Sequence, residues 1–89
     1  MSTYQVKEDG KNGTISIDEK GVLRTVKKFI GKDDTQFIPA QAIAFVNHNR
    51  KMIGADEVTV STTAGLTFTW RVGKDVEMFV EQLNWLATQ

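Results

Sequence analysis

The sequence contains no cysteine, a single proline and a single histidine among its 89 residues. Without cysteine the chain can form neither disulfides nor thiolate metal sites, which suits a reducing compartment. No apolar run approaches the roughly 20 residues needed to cross a bilayer. No apolar stretch follows the first four residues, as it would in a signal peptide. We therefore expect a cytoplasmic protein without a transmembrane segment.

A net charge is also missing, because eleven basic and eleven acidic side chains cancel. A general nucleic-acid binder carries a clear excess of positive charge, so we expect no nucleic-acid partner. The apolar fraction is 40%, and the chain has no low-complexity segment and no internal repeat. This composition and length are typical of one globular domain, here spanning residues 1–89.

Catalytic signatures are absent as well. Ser2, Ser16 and Ser61 stand in no nucleophile elbow, and no glycine-rich loop has phosphate-binding spacing. His48 has no second histidine and no cysteine to share a metal with, so it is a poor metal ligand. We expect a non-enzymatic protein that needs neither a cofactor nor a metal.

The chain ends in one amphipathic helix, predicted over residues 75–88. Asp75 is placed to act as the N-cap, and Glu77 puts a negative charge near the positive end of the helix dipole. A helix this short is only marginally stable alone in water, so its apolar stripe must be buried against the rest of the chain. That stripe recurs at helical spacing and consists of Val76, Phe79, Val80, Leu83, Leu86 and Ala87.

Met78 and Trp85 interrupt this pattern. They lie seven residues apart and share a face opposite the apolar stripe. One interpretation is that Trp85 folds over a sheet edge with part of its ring exposed, since scattered surface apolar residues are normal. The other interpretation is a surface for a protein partner or a second copy, because Trp and Met are enriched at interface centres.

Short runs with strand periodicity fill residues 3–72. Residues 8–13 are predicted to form the turn of the first hairpin, with the Asn12-Gly13 pair as the strongest turn signal among them. Pro39 marks an edge strand or a bulge. The predicted fold is mainly β, a seven-stranded antiparallel and partly open barrel or sandwich, capped by the C-terminal helix. The predicted strands cover residues 4–7, 14–18, 22–30, 35–38, 42–47, 58–61 and 66–72.

Three stretches resemble the bacterial pleckstrin-homology-like (PH-like) domain family. They are GTISID followed by a turn and GVL (residues 13–23), FIPAQAIAFV (residues 37–46), and VTVS, a turn and LTFTW (residues 58–70) before the helix. The resemblance implies two antiparallel sheets of four and then three strands, with the helix capping one end. It also implies binding of lipids, peptides or proteins, or self-assembly through strand edges.

The resemblance does not extend to specific inositide recognition. Phosphoinositide-binding members of the family carry a basic-x-Arg pair in the first hairpin. In this sequence the predicted first hairpin carries only Lys7 and Lys11.

A basic stretch gives a second candidate site. Its five basic side chains are Lys20, Arg24, Lys27, Lys28 and Lys32, with no acid between the first and the last. They fit a solvated strand whose lysines discourage edge pairing, and they also fit a patch for anionic lipid or another anionic ligand. Three functions stay open: a module that binds a protein partner or itself through a strand edge or the face of Met78 and Trp85, a peripheral binder of an anionic ligand, and a domain that only positions itself within a larger assembly.

Overall fold

The computed structural model describes residues 2–89 and confirms a mainly β architecture, with seven antiparallel strands and one C-terminal helix. A short 3-10 helix, Ala40–Ala42, joins the fourth and fifth strands, and helix α1 spans Val76–Ala87. The strands are β1 Ser2–Glu8, β2 Lys11–Asp18, β3 Gly21–Val26, β4 Asp34–Pro39, β5 Ile43–Asn49, β6 Asp56–Thr62 and β7 Thr67–Val72.

The strands form one open sheet in the order β4-β3-β2-β1-β7-β6-β5. Strands β1–β4 form one meander and β5–β7 another, and the two join through β1 and β7 at the pair Lys7 and Arg71. Strands β4 and β5 are the two edges of the sheet, so the barrel is partly open. Pro39 ends edge strand β4, which confirms the edge prediction.

The core lies between the sheet and the inner face of α1. Phe79, Leu83 and Leu86 of the helix are fully buried. The Phe79 ring centroid lies 4.8 Å from that of Tyr4 and 6.0 Å from that of Trp70. Tilted aromatic contacts of this kind stabilise a core beyond the area that they bury. The prediction that the helix stripe packs onto the strands is confirmed.

The start of the helix differs from the prediction. Asp75 occupies the N-cap position, but it has a φ of 57° and its side chain makes no capping hydrogen bond. A capping side chain needs extended backbone at the cap, and the left-handed conformation of Asp75 does not provide it. Glu77 lies in the first turn as expected and pairs with Arg50, the residue that follows β5.

The first hairpin turns at Asp9-Gly10, which lies inside the predicted turn at residues 8–13, but the choice of Asn12-Gly13 as the turning pair is wrong. Asp9 and Gly10 have φ values of 52° and 79°, as a tight two-residue hairpin turn requires. This register sets Tyr4 opposite Ile15, and both are buried. A turn at Asn12-Gly13 would instead set Ile15 opposite Gly10. Apolar pairing across the strands therefore decides between two good turn sequences.

Strand β3 ends at Val26, so the predicted strand end at residue 30 is also wrong. The backbone N–H of Lys27 donates to the Asn12 carbonyl at 2.9 Å, and a loop then leads to β4. Phe29 and Ile30 in this loop are 99% and 82% exposed. Phe29 and Ile30 therefore belong to an exposed loop and not to the strand.

Gly21 is the first residue of β3 and pairs with Pro39, the last residue of β4. A Cβ at this position would lie 2.9 Å from the Cα of Pro39 and would also press against the Ile38 carbonyl oxygen. We expect Gly21→Ala to lower the free energy of unfolding by about 3 kcal/mol, because backbone atoms of β4 would have to move.

The matched control is Gly10→Ala, since no atom lies within 4 Å of a methyl group added there. Only the strain of a positive φ remains, which costs about 1 kcal/mol. Urea denaturation followed by tryptophan fluorescence measures both losses. Equal losses would contradict the steric role of Gly21.

Candidate functional site

A solvent-open groove of about 590 Å³ runs between α1 and the β2–β3 turn. Its helix side consists of Met78, Glu81, Gln82 and Trp85, which recur at helical spacing along one flank of α1. Its other side includes Asp18 and Glu19 from the turn. We call this surface the acidic groove. It joins residues that lie some 60 positions apart in the chain.

Met78 and Trp85 are half exposed, at 54% and 49%. The sequence places them opposite the buried stripe, whereas the structure places them on the flank of the helix, where both line the groove. Each side chain therefore covers part of the groove wall and leaves the rest of its apolar surface in water. An apolar wall inside a concave surface is a common feature of sites that bind another molecule.

Gln82 fixes the helix to the first strand beside the groove. Its Oε1 accepts a hydrogen bond from the Tyr4 hydroxyl at 2.8 Å, and its Nε2 donates to the Ser2 hydroxyl at 2.9 Å. Burial raises the pKa of the Tyr4 phenol above its ordinary value of 10.0, so Tyr4 stays a neutral donor at physiological pH. These contacts involve neither Met78 nor Trp85, so both can be changed without loosening this part of the helix.

The charge of the groove is negative. The carboxylates of Asp18, Glu19 and Glu81 line it, and no basic side chain from residues 2–89 does so. Asp18 also accepts hydrogen bonds from the backbone N–H groups of Lys20 and Gly21, at 2.8 and 3.2 Å, and thereby shapes the turn. An aromatic wall beside three carboxylates suits a segment that is both apolar and cationic.

The predicted basic patch is divided among three places in the structure. Lys20 lies exposed in the β2–β3 turn, and Arg24 is only 5% exposed on the inner side of β3. Lys27, Lys28 and Lys32 are exposed in the β3–β4 loop, beyond the other end of β3. The expectation that these five side chains share one surface is corrected: only the three loop lysines lie together.

Arg24 is held in a cluster of charged and aromatic side chains, which we call the Arg24 cluster. Its Nε donates to Glu8 Oε1 at 2.7 Å, its Nη2 bonds Glu8 Oε2, and its Nη1 donates to Asp34 at 3.1 Å. The guanidinium carbon lies 5.2 Å from the Phe68 ring centroid, and Trp70 Nε1 donates to Glu8 at 2.8 Å. The hydrogen bonds from Arg24 hold the pKa of Glu8 below its ordinary value of 4.5.

Sequence reasoning missed this cluster, although β3 carries a signal for it. Val22 and Val26 are buried, and Arg24 lies between them on the same side of the strand. Because side chains alternate along a strand, this position faces the core. A charge that faces the core needs partners, and Glu8 and Asp34 provide them.

His48 takes part in closing the loop between β5 and β6. Its Nε2 lies 2.8 Å from Asp56 Oδ2, and the Lys51 N–H donates to Asp56 Oδ1 at 2.9 Å. The hydrogen bonds from Lys51 and His48 hold the pKa of Asp56 below its ordinary value of 3.8. Within residues 2–89 no group of three His, Cys, Asp or Glu side chains is arranged to hold a metal ion.

Comparison of the chain with models of known protein families and with curated proteins finds no match. In the part of the chain that the structure describes, no helix has the length and apolar character needed to cross a membrane.

The Arg24 cluster yields a stability prediction. We expect Arg24→Met to lower the free energy of unfolding by about 3 kcal/mol at neutral pH, because Glu8 would keep its charge in a poorly solvated place. The folded state of the wild type lowers the pKa of Glu8. The stability gained from this carboxylate is therefore present above pH 4.5 and is lost as the pH falls below that value. The difference between wild type and variant should accordingly shrink in acid.

The matched control is Glu77→Gln, which removes the exposed ion pair with Arg50 and should change stability much less. Urea denaturation at a series of pH values from neutral to about 3 measures both effects. A stability difference between wild type and Arg24→Met that stays constant over this range would contradict the role assigned to Glu8.

Proposed function

We propose that the protein is a non-enzymatic interaction module that associates with itself or with a protein partner through the acidic groove. The observation that carries this proposal is the half-exposed Trp85, with Met78, inside a groove bordered by carboxylates. Tryptophan and methionine are enriched at the centres of interfaces, and charged residues are common at their rims. A partner that fills this groove removes the apolar surface of Trp85 and Met78 from water, which favours binding.

Edge strand β4 supports the same class of function. Leu23 and Phe37 lie directly opposite each other on β3 and β4, and both side chains face solvent, at 42% and 50% exposure. An apolar pair beside an unpaired strand edge favours pairing with another chain. We rank this edge below the groove, because Asp34 places a charge at one end of β4 and Pro39 at the other end has no N–H to donate to another strand.

We also propose membership of the PH-like family. The strand order, the division into four and then three strands, and the capping helix support this assignment. It rests on the fold and on the sequence resemblance, and a fold alone does not name a function.

We expect the wild type to self-associate at micromolar concentrations and Trp85→Ala to weaken that association about tenfold or more, because a central aromatic side chain is lost. Leu66→Ala is the matched control, since Leu66 is 48% exposed and lies in the β6–β7 turn. Phe37→Glu tests the edge of β4. Sedimentation velocity over a concentration series measures all four proteins. A monomeric wild type, or a loss confined to Phe37→Glu, would contradict the role of the groove in self-association.

A second candidate function is binding to an anionic membrane surface through the β3–β4 loop. The observation in its favour is the exposed pair Phe29 and Ile30 between Lys27, Lys28 and Lys32. Lysines near an anionic membrane contribute about 1 kcal/mol each, and apolar side chains at a loop tip can enter the headgroup region. This surface is narrower than the patch predicted from the sequence, because it lacks Lys20 and Arg24.

Sedimentation with vesicles of phosphatidylserine and phosphatidylcholine tests this second candidate. We expect binding at low salt that weakens as salt rises, and loss of binding in the double variant Lys27→Glu/Lys28→Glu. Lys20→Glu, at the other end of β3, is the control and should keep most of the binding. Absence of binding by the wild type at low salt would eliminate this candidate.

A further inference from the structure

We infer that residues 27–32 of the β3–β4 loop of one copy occupy the acidic groove of a second copy, so that chains join head to tail. This inference rests on the proposed function of the groove as a self-association site, and it names the segment that fills it. The partner is a second copy of this chain, and the contact joins two different surfaces.

The loop has the chemistry of a binding segment. Residues 27–32 carry three lysines and no acid, and Asp33 follows them as the last residue of the loop. Phe29 is 99% exposed and Ile30 82% exposed, so neither side chain contributes to the core of its own molecule. Covering two adjacent, exposed apolar side chains with another molecule is favourable, because it removes their surface from water.

The groove complements the loop in both respects. Trp85 and Met78 offer an apolar wall to Phe29 and Ile30, and Asp18, Glu19 and Glu81 offer three carboxylates to the three lysines. The two surfaces therefore carry charges of opposite sign, although Asp33 at the end of the loop offsets one of its three lysines. The whole chain has a net charge of zero, so overall repulsion between copies does not oppose their approach.

The fold prevents the loop from filling the groove of its own molecule. The groove borders the β2–β3 turn, where Asp18 pairs with Gly21, whereas the loop begins beyond the pair Gly13 and Val26 at the other end of β3. Five residue steps along β3 separate these two pairs by about 17 Å. The loop then returns at once to Asp34, which pairs with Val26, so both of its ends are held at the far end of the strand. Only the groove of another molecule is within its reach.

A contact between two different surfaces leaves one free loop and one free groove at the ends of every chain of copies. Such an assembly grows into an open filament, or closes into a ring if the rotation between copies allows it. Increasing protein concentration should therefore increase the size of an open assembly beyond the dimer. Salt should weaken the contact, because part of its energy comes from exposed charges.

Complementation between two variants tests the proposal. The loop variant is Phe29→Ser/Ile30→Ser, which keeps an intact groove, and the groove variant is Glu81→Lys/Trp85→Ala, which keeps an intact loop. We expect each variant alone to associate about tenfold or more weakly than the wild type. An equimolar mixture should form dimers and nothing larger, because one functional loop meets one functional groove and both remaining surfaces are disabled.

The matched control is Met52→Ser/Ile53→Ser, which removes another fully exposed apolar pair from the β5–β6 loop and should associate as the wild type does. Sedimentation velocity measures the size of each species, and circular dichroism checks that every variant is folded. Wild-type association by the loop variant, or a mixture that stays monomeric, overturns the head-to-tail contact while leaving the groove as a self-association site. A wild type that stays monomeric at high micromolar concentration contradicts self-association as well. Loss of vesicle binding by the loop variant, with its association unchanged, assigns the loop to a membrane and likewise overturns the proposal.

Discussion

The aromatic contact between the helix and the sheet is the interaction on which the rest of the structure depends. Phe79 packs against Tyr4 of β1 and Trp70 of β7, the strands at which the two halves of the sheet meet. Strands β1 and β7 share a single paired position, Lys7 with Arg71. Backbone hydrogen bonds between these strands therefore contribute little to joining the two halves. Burial of apolar surface, which contributes about 25 cal/mol per Å², is therefore the main interaction that holds the two halves together. The acidic groove exists because the opposite flank of the same helix is fixed in this way.

Trp70 connects this apolar contact with the charged part of the interior. The Trp70 ring packs against the Phe79 ring, and its indole N–H donates a hydrogen bond to Glu8 in the Arg24 cluster. Phe68 stacks on Trp70 at a centroid distance of 5.9 Å and also lies against the Arg24 guanidinium. The inner surface of β7 therefore holds both the helix and the only arginine that is buried among the described residues. Substitutions on the inner side of β7 should therefore affect both the packing of the helix and the Arg24 cluster.

The sequence allowed the elements with regular periodicity to be predicted. The helix stripe, the β6–β7 hairpin and the edge position of Pro39 follow from spacing and from the chemistry of proline, and the structure confirms them. Met78 and Trp85 could be singled out because they interrupt the stripe. Their neighbours Asp18 and Glu19 could not, since that contact depends on how the helix crosses the sheet. The exact position of the turn within residues 8–13 could not be predicted, because two turn sequences compete there and cross-strand pairing decides between them.

The order of elements along the chain also has a consequence for biosynthesis. All seven strands precede α1, so the inner side of the sheet, including Trp70 and Ile15, stays uncovered until residues 76–87 leave the ribosome. Until then the nascent chain presents an apolar surface of the kind that chaperones bind. A nascent chain stalled before the helix would be an aggregation hazard in the cell and a substrate for quality control.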